Sequence, residues 1–329
     1  MLRTLSARSE SFALATPFRI SRGVRTVAEV VTVEIAANGV TGRGEGAPYP
    51  RYGESIAQTL TAIEGMRDAI AGGISREELQ AAMPAGAARN AIDCALWDLE
   101  AKLAGRSVTN LLGRRPIGPT PTAMTVSLDT PDAMRAAARA LAHAPLIKIK
   151  VDRDDAAVRI RAVREAAPGP RVIVDPNESW TMAEVESLQP LLAELRIDLL
   201  EQPLPAGEDE GLSGFASVTP IAADESAHVA DDVSTLAGKY QVINIKLDKT
   251  GGLTGALALA TAARRVGFGV MTGSMISTSL SIAPGMVVAA ESGFVDLDGP
   301  LWLASDRAGG VEGVDGVLTP PAAGFWGTP

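Results

Sequence analysis

The 329-residue chain is 46% hydrophobic and 21% charged, which is typical of a globular protein with room for one barrel domain and a smaller domain. Its net charge of −9 argues against general nucleic-acid binding, and it lacks any run of about 18 apolar residues that would predict a membrane span. The single cysteine, Cys94, excludes an intramolecular disulfide and indicates a reducing cytoplasm, and the first residues lack the apolar core of a signal peptide.

Residues 1–115 are predicted to form an α+β domain. A stretch of alternating apolar and polar residues ends at Asn38-Gly39, a strong hairpin signal, and GRGEGAPYPRYGES after it is predicted as a long loop. Helices follow: one begins with Ser75 and Glu78 in capping-box spacing, and a longer one ends at Gly105. Cys94 lies in the longer helix, where a packed thiol is expected rather than a nucleophile.

From Pro121 onward short apolar strands alternate with helices, which predicts a parallel α/β barrel over residues 116–303. The eight predicted strands are PTAMTVSL, LIKIKV, RVIVDP, DLLEQP, IAADE, QVINIKL, GVMTGSM and FVDLD. Residues 304–329 have many glycines and few periodic features, and we expect them to pack back on the N-terminal domain.

Several common kinds of site find no support in the sequence. His143 and His228 are the only histidines, and neither lies in a metal-ligand spacing. No P-loop is present, and GRGEG at residues 42–46 resembles a dinucleotide-binding motif only superficially. The sequence therefore gives poor support to a zinc hydrolase, a Ser-His-Asp enzyme or a nucleotide-binding protein.

Carboxylates stand at the ends of three consecutive predicted barrel strands. They are Asp175, Glu201 and Asp224. Because the C-terminal ends of parallel barrel strands share one face, these groups should converge, and hard oxygen ligands of this kind suit Mg²⁺. The alternative is that each acid caps the following helix or pairs with a lysine.

Lysines occur at the same level of two other strands. Lys148 and Lys150 should project to one side of the second strand, and Lys246 ends the sixth, across the barrel mouth. Two lysines on opposite faces of one carbon can remove a proton next to a carboxylate and return one. A lysine base must be neutral, so its pKa must fall from about 10.4, and a neighbouring ammonium and a metal would both lower it. The alternative is that these lysines are simply exposed to solvent.

Asp296 and Asp298 form a DxD motif at the end of the eighth predicted strand. Both carboxylates should face the pocket, where they would pair with a cationic substrate group such as a free α-ammonium. A second metal site and a simple turn at Asp298-Gly299 are the alternatives.

These motifs resemble a known family. In this order, KxK, DxN, EQP, DES and NIK are similar to the muconate-lactonizing subgroup of the enolase superfamily, and DxD before GP resembles the hallmark of its dipeptide epimerases. PYPRYGES, PAGAARNAIDCALWDL and NIKLDKTGGLT look like the L-Ala-D/L-Glu epimerase type. The resemblance implies a modified TIM barrel, (β/α)₇β, beneath an N-terminal α+β capping domain.

The resemblance also implies a role for each site residue. It implies one Mg²⁺ per chain on Asp175, Glu201 and Asp224, with Lys150 and Lys246 as acid/base groups and Lys148 assisting the carboxylate. By the same likeness, Asp296 and Asp298 would hold the dipeptide ammonium, and Arg22 would pair with the γ-carboxylate of the glutamyl residue.

The implied activity is epimerisation of the C-terminal residue of a small dipeptide substrate, in recycling of murein peptides. The alternatives are an N-acylamino-acid racemase and an o-succinylbenzoate synthase, which use the same lysine pair but bring no cation to Asp296 and Asp298. A non-enzymatic barrel that binds a metal or a small molecule would show damage to the lysines or acids, and none is visible. The sequence predicts no nucleic-acid or membrane partner and leaves open a homo-oligomer.

Overall fold

A computed structural model of the chain describes residues 2–329. The N-terminal domain begins with an antiparallel sheet of β1 (Thr4–Ile20), β2 (Gly23–Ala37) and β3 (Val40–Gly46), in that order. The hairpin predicted at Asn38-Gly39 joins β2 to β3, and both residues have a positive φ, 51° and 75°. No strand is predicted over β1. Leu5 is its one buried residue and its other side chains are half-buried or exposed, so its apolar periodicity is weak.

Helices cover one face of this sheet. They are α1 (Ile56–Glu64), α2 (Arg67–Ala71), α3 (Arg76–Ala82), α4 (Ala87–Ala104) and α5 (Val108–Leu111), with a short 3-10 helix at Pro50–Tyr52. The capping box of Ser75 and Glu78 begins α3 as predicted, and Gly105 ends α4 with φ 61°. Cys94 is fully buried in α4, which confirms the expectation of a packed thiol.

The prediction of a loop that begins at GRGEG is wrong for residues 42–46, which lie within β3. Gly42, Gly44 and Gly46 face α4 so closely that an added Cβ would lie 2.2, 2.1 and 2.2 Å from helix carbonyl oxygens. Any side chain at these positions would hold the strand away from the helix. The glycines serve strand–helix packing, and the two residues between them are free to reach the other side of the sheet.

The second domain is a parallel eight-stranded sheet in chain order, and each of its strands overlaps one of the eight predicted strands. The strands are β5 (Ala123–Val126), β6 (Leu146–Lys150), β7 (Arg171–Asp175), β8 (Leu199–Glu201), β9 (Ile221–Ala223), β10 (Val242–Ile245), β11 (Gly269–Gly273) and β12 (Phe294–Asp296); β4 (Thr120–Pro121) precedes them. The two edge strands meet through side chains, because Leu297 N donates to Thr122 Oγ1 and Thr125 N donates to Asp298 Oδ2. The predicted (β/α)₇β barrel with its capping domain is confirmed.

Helices surround the barrel. They are α6 (Pro131–Ala140), α7 (Ala156–Ala166), α8 (Met182–Glu194), α9 (Val233–Leu236), α10 (Leu247–Thr250), α11 (Leu253–Arg265) and α12 (Ser279–Ala289), with 3-10 helices at Glu210–Leu212, Ala230–Asp232 and Gly299–Trp302. No helix within residues 2–329 is both long enough and apolar enough to cross a membrane.

An apolar layer lies inside the barrel, and on β6, β7, β8 and β9 it stands two residues before a charged residue. Its members are Ala123, Leu146, Ile173, Leu199, Ala222, Val242 and Met271. Side chains on one side of a strand recur every second residue. Lys148 and Lys150 therefore face the barrel interior on the same side as Leu146, and Asp175 on the same side as Ile173. This alternation fills the bottom of the barrel with hydrocarbon and directs the charged residues to its C-terminal end.

The C-terminal segment contacts both domains. Its hairpin, β13 (Glu312–Val314) and β14 (Val317–Thr319), pairs with β4 at the N-terminal end of the barrel strands. Further on, Trp326 Nε1 donates to Cys94 O at 3.1 Å and Gly327 N donates to Asp98 Oδ1 at 2.6 Å. The division into residues 1–115, 116–303 and 304–329 stays a prediction.

Candidate active site

The barrel brings together the lysines and acids that the sequence analysis singled out. None of these eight residues at the strand ends is more than 8% exposed, so the alternative of solvent-exposed lysines is wrong. They are Lys148, Lys150, Asp175, Glu201, Asp224, Lys246, Asp296 and Asp298.

Lys148 lies at the centre of this cluster. Its Nζ is 3.0 Å from Asp175 Oδ2, 2.7 Å from Glu201 Oε2 and 2.8 Å from Asp296 Oδ2. Lys150 Nζ lies 2.6 Å from the same Asp175 oxygen. The acids therefore do pair with lysines, as one of the alternatives predicted, and these pairs hold the charges in place at the barrel mouth.

Across the mouth, Asp224 binds two lysines. Lys246 Nζ lies 2.7 Å from Asp224 Oδ2, and Lys249 Nζ lies 2.7 Å from Asp224 Oδ1. Lys249 also donates to the main-chain oxygens of Asp224 and Asn244. Sequence reasoning missed Lys249, although its position one turn after Lys246 in NIKLDK is a signal that it shares the same side of the chain.

The electrostatics of the cluster follow from burial and from these pairs. Burial raises the pKa of Asp175 and Asp224, but their lysine partners outweigh it, and both pKa values lie below the usual range. Burial and the Asp175 charge raise the pKa of Glu201 to about 7. Burial lowers the pKa of Lys246, but Asp224 more than offsets it, so the pKa is raised, opposite to the direction that a base requires.

The three strand-end acids fit a magnesium ion by their chemistry. Asp175, Glu201 and Asp224 are fully buried carboxylates, and Glu201 Oε2 accepts no hydrogen bond despite its closeness to Lys148. Asn244 Nδ2 donates to Glu201 Oε1 at 2.9 Å and orients that carboxylate. Within residues 2–329, no three acidic, histidine or cysteine side chains converge as in a formed metal site, since lysines lie between them.

A small cavity of about 40 Å³ lies above the lysines. Lys148, Lys150, Lys246, Asp296 and Asp298 line it together with the capping-domain residue Phe18. This volume is enough for water but well below the roughly 300 Å³ or more of typical ligand pockets. A far larger cavity of about 830 Å³ lies at the opposite end of the barrel and is lined by none of these lysines, so size does not mark the site.

The DxD motif lies at the edge of this cavity. Asp298 Oδ2 accepts hydrogen bonds from Thr125 N at 2.9 Å and from Trp302 Nε1 at 3.2 Å. Burial and the neighbouring Asp296 raise the pKa of Asp298 to about 6. Asp296 Oδ2 contacts Lys148, while Asp296 Oδ1 is buried without a hydrogen-bond partner, and this leaves acceptor capacity for a substrate cation.

Arg22 lies apart from the small cavity, in the turn between β1 and β2. Its guanidinium is 2.9 Å from Glu178 Oε2 and 2.7 Å from Glu225 Oε1, so two barrel glutamates already hold it. Arg25, three residues on, lies over the ring of Tyr49 at 4.6 Å. Both arginines line a second cavity of about 420 Å³ between the capping-domain loops.

The family follows from comparison with known proteins. Residues 2–113 match "Mandelate racemase / muconate lactonizing enzyme, N-terminal domain", and residues 132–325 match "Enolase C-terminal domain-like". The chain belongs to this family of the enolase superfamily. The resemblance that the strand-end motifs indicated is thereby confirmed.

Curated relatives cover nearly the whole chain. The L-Ala-D/L-Glu epimerase of Escherichia coli (strain K12) is 47% identical over 307 residues, which are 93% of this chain and 96% of the relative. The N-acetyl-D-glutamate racemase of Pseudoalteromonas sp is 43% identical over 300 residues, 91% of this chain and 95% of the relative. Both relatives are epimerases or racemases, which confirms the predicted class of enzyme, an isomerase.

Solved structures agree with the fold. An enolase family member from Agrobacterium tumefaciens, with homology to dipeptide epimerases and with bound sodium and L-Ala-L-Glu, has a TM-score of 0.96 and 50% identity, covering 99% of this chain and 100% of that one. A dipeptide epimerase from Enterococcus faecalis V583, complexed with Mg and L-Leu-L-Tyr, has a TM-score of 0.90 and 31% identity, covering 98% and 99%.

Proposed function

We propose that this protein is a Mg²⁺-dependent epimerase of the C-terminal residue of dipeptides, with L-Ala-D/L-Glu as substrate. The observation that carries the proposal is the pair Lys150 and Lys246, which come from non-adjacent strands and line one small cavity together with the DxD motif. We place the activity in the cytoplasm, in the recycling of murein peptides, and the 47% identical epimerase supports this substrate.

Asp175, Glu201 and Asp224 would hold the Mg²⁺, since they are buried oxygen donors from three adjacent strand ends. The ion would stabilise the negative charge that develops on the substrate carboxylate when the α-proton leaves. The complexes of the relatives with sodium or Mg and a dipeptide support a cation here.

The lysines would divide the proton transfers between them. One of Lys150 and Lys246 removes the α-proton from one face of the carbon, and the other delivers a proton to the opposite face. Burial lowers the pKa of Lys148, but the charges of the three carboxylates that it contacts outweigh this effect and hold the pKa well above the usual range. It therefore stays an ammonium and would bind the substrate carboxylate rather than act as a base.

Asp296 and Asp298 would bind the free ammonium of the dipeptide, for which Asp296 Oδ1 has spare acceptor capacity. For the side-chain carboxylate of the glutamyl residue, Arg22 must first leave Glu178 or Glu225. Arg25 lines the same cavity and stacks on Tyr49, so it is a second guanidinium that can meet this carboxylate.

A second candidate function is racemisation of an N-acylated glutamate, which the 43% identical N-acetyl-D-glutamate racemase favours. That substrate shares the two carboxylates but has no ammonium for Asp296 and Asp298. An o-succinylbenzoate synthase uses the same lysines and would likewise leave the DxD motif without a cation.

Proton NMR in D₂O tests the proposal directly. We expect the α-proton of L-Ala-L-Glu to exchange and the L,D epimer to form much faster than N-acetyl-L-glutamate reacts. Chelation should abolish both processes and added Mg²⁺ should restore them. A preference for the N-acetyl substrate would favour racemisation of an N-acylated glutamate as the function. Full activity of the chelated protein would refute the metal assignment.

A further inference from the structure

The capping domain grips the segment that carries Lys246. This lysine precedes α10, and its carbonyl oxygen accepts hydrogen bonds from Lys249 N and Thr250 N, each at 3.0 Å. The position of the Lys246 backbone therefore depends on that of α10. A helix of only four residues is not stable by itself and depends on its tertiary contacts.

Asp248 is the residue of α10 that faces the capping domain. Its Oδ1 accepts hydrogen bonds from Ala47 N, just after β3, at 2.9 Å and from Asn90 Nδ2, on α4, at 2.8 Å. Asp248 is 4% exposed and Asn90 is fully buried. Cys94 Sγ donates to Asn90 Oδ1 at 3.2 Å and so fixes the direction in which Asn90 presents its amino group.

Neighbouring residues of α4 hold both ends of the same segment. Arg89 donates to Thr250 O at 2.8 Å and to Gly251 O at 3.2 Å, which satisfies carbonyls at the C-terminus of α10. Asp93 Oδ2 accepts from Thr254 N at 2.9 Å, at the start of α11. The turn from Lys246 to α11 is thus fastened to the capping domain along its length.

Lys150 has a different support. It lies within β6, paired in register with Asp175 of β7, and Val151 N donates to Asp175 O at 3.2 Å. Next along the chain, Asp152 O accepts from Trp180 Nε1 at 3.1 Å. These supports belong to the barrel. Lys246 also follows a barrel strand, β10, but the capping domain fastens the backbone beside it, whereas beside Lys150 the capping domain contributes the ring of Phe18, whose centre lies 6.0 Å from Nζ.

We propose that Asp248 is a positioning residue for Lys246. Through Asp248 the capping domain controls the rate of proton transfer on the face of the substrate that Lys246 serves, and not on the other face. The inference rests on the proposed two-lysine function. Its physical basis is the sensitivity of proton transfer to geometry, since a misplacement of about 1 Å can cost roughly 100-fold in rate. Loss of Asp248 should leave the Lys150 face in place.

The test measures α-proton exchange in D₂O separately for L-Ala-L-Glu and L-Ala-D-Glu. Lys246→Ala identifies the epimer that Lys246 serves. Asp248→Ala should slow exchange of that same epimer roughly 10- to 100-fold and leave the other within about 2-fold. Asp248→Asn keeps the Oδ1 acceptor and should recover most of the lost exchange. The matched control is Arg43→Gln, whose side chain also links β3 to the C-terminal half, at Phe325 O, but does not touch α10.

The ratio of the two exchange rates does not depend on how much enzyme is folded, so a general loss of stability cannot imitate the expected result. An equal loss for both epimers in Asp248→Ala, or the same ratio change in Arg43→Gln, would overturn the inference while leaving the proposed function intact. If Lys246→Ala itself stops exchange of both epimers, the two-lysine mechanism fails first.

Discussion

Lys148 contacts three carboxylates at once, and this decides what it can do. Removing one partner of a buried charged pair leaves the other charge without compensation, at a cost of roughly 3 to 5 kcal/mol. Because Asp175, Glu201 and Asp296 surround its ammonium, Lys148 keeps its proton. At the residue scale, three surrounding acids make Lys148 a fixed ammonium.

The two acid/base lysines are expected to serve opposite faces of the substrate. Lys150→Ala and Lys246→Ala should each stop epimerisation, with a loss of at least the roughly 10²- to 10⁴-fold typical of general acid–base groups. Each variant should still exchange the α-proton of one epimer, and the two should retain opposite epimers. Proton NMR in D₂O with both pure epimers measures this, and retention of the same epimer by both variants would contradict the two-face mechanism.

Asp298 is expected to bind the free ammonium group of the dipeptide substrate. Asp298→Asn keeps the shape of the side chain and an acceptor for Thr125 N, but removes the charge. For L-Ala-L-Glu, kcat/KM should fall by an amount equivalent to roughly 2 to 5 kcal/mol of lost transition-state stabilisation. The fall should be much smaller for N-acetyl-L-glutamate, which has no ammonium. The measurement is the ratio of the two kcat/KM values in wild type and variant. An unchanged ratio would favour an N-acylamino-acid racemase over a dipeptide epimerase.

At the scale of elements, the closest packing in the capping domain is that of β3 on α4. Gly44→Ala would place a methyl group 2.1 Å from Ala91 O, a backbone atom that cannot move without the helix. We expect a loss of roughly 2 to 4 kcal/mol in the free energy of unfolding, from overpacking between two rigid elements. Urea denaturation measures it, with Gly118→Ala, which meets no atom within 4 Å, as the control; equal stability of both variants would contradict this account.

At the scale of the whole molecule, the interface between the domains buries charge as well as hydrocarbon. Asp248 is buried there, and burial raises its pKa to about 7 despite the hydrogen bonds from Ala47 and Asn90. The folded protein therefore keeps a proton that the unfolded chain releases near pH 4. The contribution of Asp248 to stability is therefore expected to fall as pH rises from about 4 to 7, because ionisation of this group favours the unfolded state.

Replacing Asp248 with Asn removes this dependence, because the amide resembles the neutral acid and does not ionise. The free energy of unfolding of wild type relative to Asp248→Asn should fall by roughly 2 to 4 kcal/mol between pH 5 and pH 8. Urea denaturation at several pH values measures the difference. Glu77→Gln, at an exposed acid, is the control, and parallel pH curves for wild type and Asp248→Asn would show that Asp248 does not titrate in this range.

Much of the molecule could be predicted from the chain because strand periodicity is local. Each barrel strand is a short apolar run, and the two-residue repeat alone puts Lys148, Lys150 and Asp175 on the inside of the barrel. The same logic identified the capping box at Ser75 and the hairpin at Asn38-Gly39. These features depend on neighbours in sequence, so the sequence by itself determined the barrel, its charged layer and the family.

Only the tertiary structure decided which partners those charges meet. The sequence does not predict β1 because Leu5 is its one buried residue, and the loop predicted at GRGEG is wrong because its glycines make sense only against α4. Lys249, the glutamates around Arg22, and Asp248 gain their roles from contacts between residues far apart in the chain. Burial and pKa depend on what folding places nearby, and no local pattern records that.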